Sequence, residues 1–121
     1  MLPPFEDSDT GDRKPPAEVR ILDLHAEPWP DGRRVRVHLE LTPFQEKPNL
    51  SLVITTLAGD ISASAAVIES FTHKLVITLH LRAVDPTDSY RLEASVSYPE
   101  IDLVDRLAVD FTVLPGESEP G

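Results

Sequence analysis

The stretch DPTDSYRLEASVSY, residues 85–98, decides the fold. It begins as a polar turn that contains a proline, and from Ser89 onward it alternates between polar and apolar residues. The residues that share its apolar face are Tyr90, Leu92, Ala94, Val96 and Tyr98. Because successive side chains of a strand point to opposite faces, this period predicts a strand with one buried and one solvated face. We predict that it is the central strand of a β-sandwich.

Six other segments have the composition and spacing of strands. The predicted ranges are 18–26, 34–42, 49–57, 61–69, 73–82 and 106–114, and turns rich in Pro, Gly and Asp separate them. Together with 89–98 they predict an all-β fold, a seven-stranded antiparallel β-sandwich. Segment 61–69 has the small residues of a flat edge strand, and a helix over 61–70 is the open alternative. Residues 99–105 are predicted to form a loop.

The first predicted strand contains an irregularity. Its apolar residues are Val19 and Ile21 and then, with the opposite parity, Leu22 and Leu24. A β-bulge, or a passage of the chain from one sheet to the other, would produce this shift.

Length and composition limit the classes of function. The 121 residues predict one domain over 18–115, with disordered tails rich in proline and acidic residues at 1–17 and 116–121. The chain has no cysteine, which excludes disulfides and thiolate chemistry. Its net charge of −10 disfavours nucleic acids and anionic membranes as partners. Neither a secretory signal nor an apolar run of about 20 residues is visible, so we expect a cytoplasmic protein with no membrane span.

The residues around Tyr90 carry a resemblance. The segment Asp88-Ser89-Tyr90-Arg91-Leu92 resembles the start of strand F in immunoglobulin-like and fibronectin type III-like domains. In those domains a tyrosine two residues before the central core position donates its hydroxyl to the preceding corner. Leu92 stands where antibody domains have a cysteine, so the likeness is not to the antibody type. The closing segment 111–115 resembles the last strand of the same modules. The likeness covers residues 18–115 and implies a fold but no function.

The resemblance also implies how the strands are distributed. Segments 18–26, 34–42 and 73–82 would form one sheet, and the other four would form the second. The outer face of the first sheet would then be basic, with Arg34, Arg36 and Lys74 among its residues.

The alternating direction of the strands brings several candidate binding residues to one end of the sandwich. They are Phe44, Phe71, His73, Tyr98, Ile101 and Leu103. Loops on a rigid scaffold often carry binding residues, and an aromatic and aliphatic cluster suits a protein partner. The alternative is that the aromatic rings close the end of the core. Trp29, between Pro28 and Pro30, is either an exposed platform for a sugar or peptide, or a lid on the core.

The sequence favours a binding protein over an enzyme. No serine, histidine and aspartate occur in a context that predicts a nucleophile beside its base, and we expect neither cofactor nor metal. The leading hypothesis is a non-enzymatic protein-interaction module. Its partner would be an unknown protein or a second copy of the chain, paired through the edge strand 61–69. The alternative is a module that binds a carbohydrate or another small ligand through the loop aromatics.

Overall fold

The computed structural model describes residues 13–30, 32–82 and 89–113. Seven strands follow a 3₁₀ turn at Pro16–Glu18. They are β1 (Ile21–Pro28), β2 (Arg34–Leu41), β3 (Asn49–Thr56), β4 (Ile61–Val67), β5 (Lys74–His80), β6 (Ser89–Tyr98) and β7 (Ile101–Thr112). Among the described residues no helix is long and apolar enough to cross a membrane.

The strands form two antiparallel sheets with the orders β1-β2-β5 and β4-β3-β6-β7. This confirms the predicted all-β sandwich and its division into sheets of three and four strands. The helix considered for 61–70 is wrong, because β4 pairs with β3 from Leu50 opposite Val67 to Thr55 opposite Ile61. β4 lies at one edge of the larger sheet and β7 at the other.

Alternation in β2, β3 and β6 builds the core. In each of these strands every second side chain is buried, and the polar residues between them face outward. The aliphatic core residues of the three strands are Val35, Val37, Leu39, Leu41, Leu50, Leu52, Ile54, Leu92, Ala94 and Val96. Burial of each large aliphatic side chain contributes about 1.5–3 kcal/mol. The facing apolar rows therefore hold the two sheets together.

Tyr90 belongs to this core, as the sequence predicted for its ring. The side chain is 1% exposed, and its ring centroid lies 5.5 Å from that of Phe111 on β7. The predicted acceptor of its hydroxyl, in the turn 85–88, lies outside the described residues.

The predicted irregularity in β1 is a β-bulge. Pairing with β2 shifts register between Ile21 and Asp23, and Leu22 is 57% exposed. The backbone N–H of Ile21 donates to Asp105 Oδ2 of β7 at 2.8 Å. The start of β1 is thereby tied to the opposite sheet.

The predicted loop at 99–105 is wrong for most of its length. Only Pro99 and Glu100 form the turn, and β7 begins at Ile101, which pairs with Tyr98. Acidic residues interrupt the apolar alternation here, which made the segment resemble a loop. They are tolerated because β7 is an edge strand with solvated surfaces, and β6 supplies its ladder of hydrogen bonds.

Residues 13–17 of the predicted N-terminal tail lie against the sandwich. The N–H of Lys14 donates to the carbonyl of Pro43 at 2.9 Å, and the N–H of Gln45 donates to the carbonyl of Lys14 at 2.9 Å. The chain before Val19 is thereby attached to the β2–β3 connection. The remainder of both predicted tails, 1–12 and 116–121, lies outside the described residues.

Truncation of the central core residue should be costly. Leu92 is 0% exposed, so Leu92→Ala should lower the free energy of unfolding by about 2–5 kcal/mol through lost burial and a residual cavity. Urea denaturation followed by circular dichroism measures this change. Leu103→Ala, at a side chain that is 47% exposed, is the control and should change it by about 0.5 kcal/mol or less. Equal losses for both variants would contradict the assignment of the core.

Candidate functional site

Three of the predicted site residues line one cavity at an end of the sandwich. Phe44, Phe71 and His73 surround a space of about 260 Å³, and the other lining residues are Arg13, Pro43, Gln45 and Lys47. The cavity is therefore large enough for one small ring or one amino-acid side chain. We call it the polar-end cavity.

Backbone contacts fix the walls of the polar-end cavity. One wall is the β2–β3 connection, to which residues 13–14 are attached by the Lys14 hydrogen bonds, and the Gln45 Nε2 donates to the carbonyl of Arg13 at 3.2 Å. The other wall is the β4–β5 connection, where the Ser70 N–H donates to the carbonyl of Pro48 at 2.8 Å. The two connections are therefore joined directly.

Tyr98 anchors the same region from inside. Its side chain is 3% exposed, and its hydroxyl donates to the carbonyl of Glu46 at 2.8 Å. Burial, with a further contribution from the Glu46 carboxylate, raises the pKa of Tyr98 to about 12. Tyr98 is therefore buried and holds the β2–β3 connection in place.

Positive charge and an exposed ring characterise the polar-end cavity. Phe71 is 83% exposed, the largest value among the large apolar side chains described. Lys47 Nζ lies 4.0 Å from the centroid of its ring, a cation–π contact. Arg13 adds a second cation, and no carboxylate is among the described residues that line the cavity. This is a locally cationic site on a chain whose net charge is −10.

His73 contributes a buried polar atom to the wall of the cavity. Its Nδ1 is buried and has no hydrogen-bond partner among the described residues, whereas its backbone carbonyl accepts from the Leu41 N–H at 2.7 Å. Buried polar atoms without partners are rare in folded proteins and cost free energy. The contact with Leu41 holds the backbone of His73, and Nδ1 of its ring is a polar atom that the described part of the chain leaves unsatisfied.

The remaining predicted site residues lie apart from the cavity lining. Ile101 is half-buried and packs against the core, and Leu103 is partly exposed on β7. Trp29 is half-buried beneath two guanidinium groups, with Arg34 Cζ at 4.0 Å and Arg36 Cζ at 5.3 Å from the ring centroid. Trp29 is not among the described residues that pack in the core, and two arginine side chains cover its ring.

The outer face of the β1-β2-β5 sheet carries mixed charge, which corrects the expected basic face. The bulge in β1 turns Asp23 and Glu27 outward, opposite Glu40 and Arg36 of β2. His38 Nε2 lies 2.9 Å from Glu27 Oε1, and this hydrogen bond lowers the pKa of Glu27. The rings of His25 and His38 stack with centroids 4.3 Å apart. Within the described ranges no group of three or more His, Cys, Asp or Glu side chains could hold a metal ion.

A second feature is the edge of the larger sheet at β4, with the connection that follows it. Three large apolar side chains are exposed there: Ile61 at the start of β4, Ile68 just after its end, and Phe71 in the β4–β5 connection. They are 63%, 71% and 83% exposed. Phe71 belongs both to this surface and to the polar-end cavity. We call the surface the β4 side.

Sequence reasoning missed Arg13, Gln45 and Lys47 of the polar-end cavity. Arg13 lies in the segment that the sequence predicts to be a tail, and no periodic pattern marks the other two. Residues 43–48 are recognisable as a loop from the sequence, because Pro43 and Pro48 enclose it and restrict its backbone, and this restriction is the signal that could have pointed to Gln45 and Lys47.

Comparison with known proteins supports the fold. No protein-family model matches the chain, and no curated protein is similar to it in sequence. Parts of several solved glycoside hydrolases are similar in structure. A β-glucuronidase from Bifidobacterium dentium, in complex with coumarin-3-O-glucuronide, has a TM-score of 0.63 at 13% identity, over 81% of this chain and 18% of that one.

Two further structures give the same result. A glycosyl hydrolase family 2 member from Bacteroides cellulosilyticus has a TM-score of 0.56 at 12% identity, over 78% of this chain and 15% of that one. A β-glucuronidase from Ruminococcus gnavus, in complex with D-glucaro 1,5-lactone, has a TM-score of 0.52 at 11% identity, over 79% and 16% of the two chains. The chain spans less than a fifth of the length of these enzymes. At such identities the likeness shows the β-sandwich fold alone.

Removal of the Tyr98 hydroxyl should loosen the wall of the cavity. Tyr98→Phe leaves the Glu46 carbonyl without this donor and should lower the free energy of unfolding by about 1 kcal/mol. The pKa of Tyr98 is higher in the folded chain than the ordinary value of 10.0. The stability that comes from the neutral hydroxyl is therefore complete below pH 10 and is lost as the pH rises through about 12.

Urea titrations at neutral pH and at rising alkaline pH measure both effects. The natural protein should lose more stability in the alkaline range than the Tyr98→Phe variant. Identical alkaline losses in the two proteins would show that Tyr98 is not responsible.

Proposed function

We propose that the chain is a non-enzymatic protein-interaction module that binds an extended protein segment along β4. The observation that carries this proposal is the absence of charge on β4. No charged residue occurs in Ile61–Val67, and no proline interrupts it. An exposed edge of this kind offers unpaired backbone groups to another strand.

The other three edge strands are protected in the way that natural sheets usually are. β1 carries Asp23 and Glu27, β5 carries Lys74 and His80, and β7 carries four charged residues between Asp102 and Asp110. Charges on edge strands discourage pairing with a second chain. The contrast singles out β4 as the edge at which an added strand would meet no unfavourable charge.

The exposed apolar residues of the β4 side give a partner side chains to cover. Ile61 and Ile68, at the two ends of β4, are 63% and 71% exposed. An added strand would supply main-chain hydrogen bonds, and its side chains would cover these two residues. Burial of apolar surface favours association by about 25 cal/mol for each Å² that is removed from water.

The start of β4 is already covered by the chain itself. The N–H of Arg82 donates to the carbonyl of Ser62 at 2.8 Å, beside the β-bulge between Ile61 and Ala63. The regular part of the edge, from Ala63 to Val67, is the part that we assign to a partner.

The strand order supports the likeness to immunoglobulin-like and fibronectin type III-like domains, which we retain as part of the proposal. The arrangement β1-β2-β5 against β4-β3-β6-β7 is the one that this resemblance implied. The similar parts of the solved glycosidases are also small pieces of long chains. A domain of this size that works beside other domains or proteins fits both observations.

A second copy of the chain is one version of the partner. Antiparallel pairing about a two-fold axis at Ala65 would place Ala63 opposite Val67, within the regular part of the edge. In this register Glu69 would face Ile61 and Asp60 would face Ser70, so no like charges oppose each other. The net charge of −10 on each copy disfavours this version at low salt.

A charge on the outer face of β4 tests the proposal. Ala66 is exposed, whereas Ala65 packs against the core and would confound the result. Ala66→Lys should weaken association through β4, and Ala108→Lys, at an exposed alanine on β7, should leave it unchanged. Size exclusion with light scattering measures self-association, and titration with a synthetic peptide of residues 61–69 measures addition of a strand.

The outcomes separate the two versions. A natural protein that dimerises, with Ala66→Lys monomeric and Ala108→Lys dimeric, supports pairing of two copies. A monomeric protein that binds the strand peptide, with binding reduced by about fivefold or more only in Ala66→Lys, supports a heterologous partner. A monomer that binds no strand peptide, or equal effects of both lysines, contradicts the proposal.

The polar-end cavity favours a second candidate, a module that binds a carbohydrate or another small ligand. Phe44 and the exposed Phe71 are the loop aromatics that this function would use, and they lie on the walls of one cavity. The likeness to glycosidases is compatible with a role beside carbohydrates. Trp29 is a weaker candidate for this role because arginine side chains cover its ring.

A further inference from the structure

We propose that the polar-end cavity binds a small ring compound that bears a carboxylate. The inference rests on the second candidate function, the small-ligand module, and adds the chemical class of the ligand. It is independent of strand addition at β4. The observations that support it are the charge of the lining, the exposed ring and the fixed loops.

The charge of the lining selects an anion. Arg13 and Lys47 are the charged residues of the lining, and both are cationic. Gln45 and His73 add polar side chains that can donate hydrogen bonds. Because no carboxylate is among the described residues that line the cavity, an entering anion meets cations and hydrogen-bond donors on these walls. Hydrogen bonds between ionised groups are about twice as strong as neutral ones.

The Phe71 ring selects a ligand with a flat apolar face. Lys47 Nζ lies 4.0 Å from the ring centroid, yet 83% of the side chain remains exposed. The ring therefore offers a stacking surface with an ammonium group beside it. A ring compound that stacks on Phe71 would bring a carboxylate substituent within reach of Lys47.

The loops that carry these groups are fixed before a ligand arrives. The Lys14 and Gln45 backbone hydrogen bonds, the Tyr98 hydroxyl and the contact from Ser70 to Pro48 hold the two walls. Pre-formed sites lose less conformational freedom on binding. The volume of about 260 Å³ fits one six-membered ring with its substituents.

Two kinds of compound share this chemistry, an acidic monosaccharide and an aromatic acid. The probes are D-glucuronate with its neutral counterpart D-glucose, and benzoate with its neutral counterpart benzyl alcohol. Chemical-shift perturbation of backbone amides in the full chain is the measurement. We expect at least one carboxylate to give saturable shifts at residues 13–14, 44–47 and 71–73, with a Kd on the order of 1 mM.

Variants assign the contacts. Lys47→Met should weaken binding of the carboxylate by about tenfold and should leave the neutral counterpart unchanged. Lys74→Met, at an exposed lysine of β5 outside the cavity, is the matched control and should leave both unchanged. Phe71→Ala should weaken binding by about fivefold, and its thermal unfolding should be unaltered because the side chain is exposed.

The result distinguishes the sources and can overturn the inference. Saturation by glucuronate alone assigns an acidic sugar, and saturation by benzoate alone assigns an aromatic acid. Shifts that sodium chloride reproduces, or equal binding of each acid and its neutral counterpart, would overturn the carboxylate assignment while leaving a small-ligand module possible. No saturable shift from any of the four probes would overturn the ligand assignment, and the β4 experiments would be unaffected.

Discussion

The contact between the inner faces of the two sheets is the interaction on which the rest of the structure depends. β2 supplies Val35, Val37, Leu39 and Leu41 to one side, and β3 and β6 supply the other. These apolar rows exclude water from the core. The backbone N–H and carbonyl groups of the strands must therefore form their hydrogen bonds within the sheets. The ends of the strands are thus fixed, and the connections that begin there, including both walls of the polar-end cavity, start from defined positions.

Much of this arrangement could be predicted because it depends on a local, repeating pattern. Alternation in residues 34–42 and 89–98 reports which face is buried, and the parity change after Ile21 reports the bulge. The start of β7 within residues 99–105 could not be predicted in this way, because its pairing depends on β6 rather than on its own composition. Arg13 and Lys47 could not be predicted as site residues, because their proximity comes from backbone hydrogen bonds between segments far apart in sequence.

The two candidate surfaces use different physical means of recognition. The β4 side offers main-chain groups and aliphatic side chains, so its selectivity would come from shape and from the absence of charge. The polar-end cavity offers cations beside an aromatic ring, so its selectivity would come from the charge of the ligand. Phe71 belongs to both, which means that a partner covering the β4 side would also change access to the cavity.

The two-residue turn at Pro99 and Glu100 has a consequence for the order of folding. It joins β6 to β7 with almost no chain to close, so this hairpin carries a small entropic cost of loop closure. β2 and β5, by contrast, are separated in sequence by residues 42–73. They can pair only after this long segment has brought the two strands close to each other. We therefore expect the chain to begin folding at its C-terminal hairpin, with the three-stranded sheet completed afterwards.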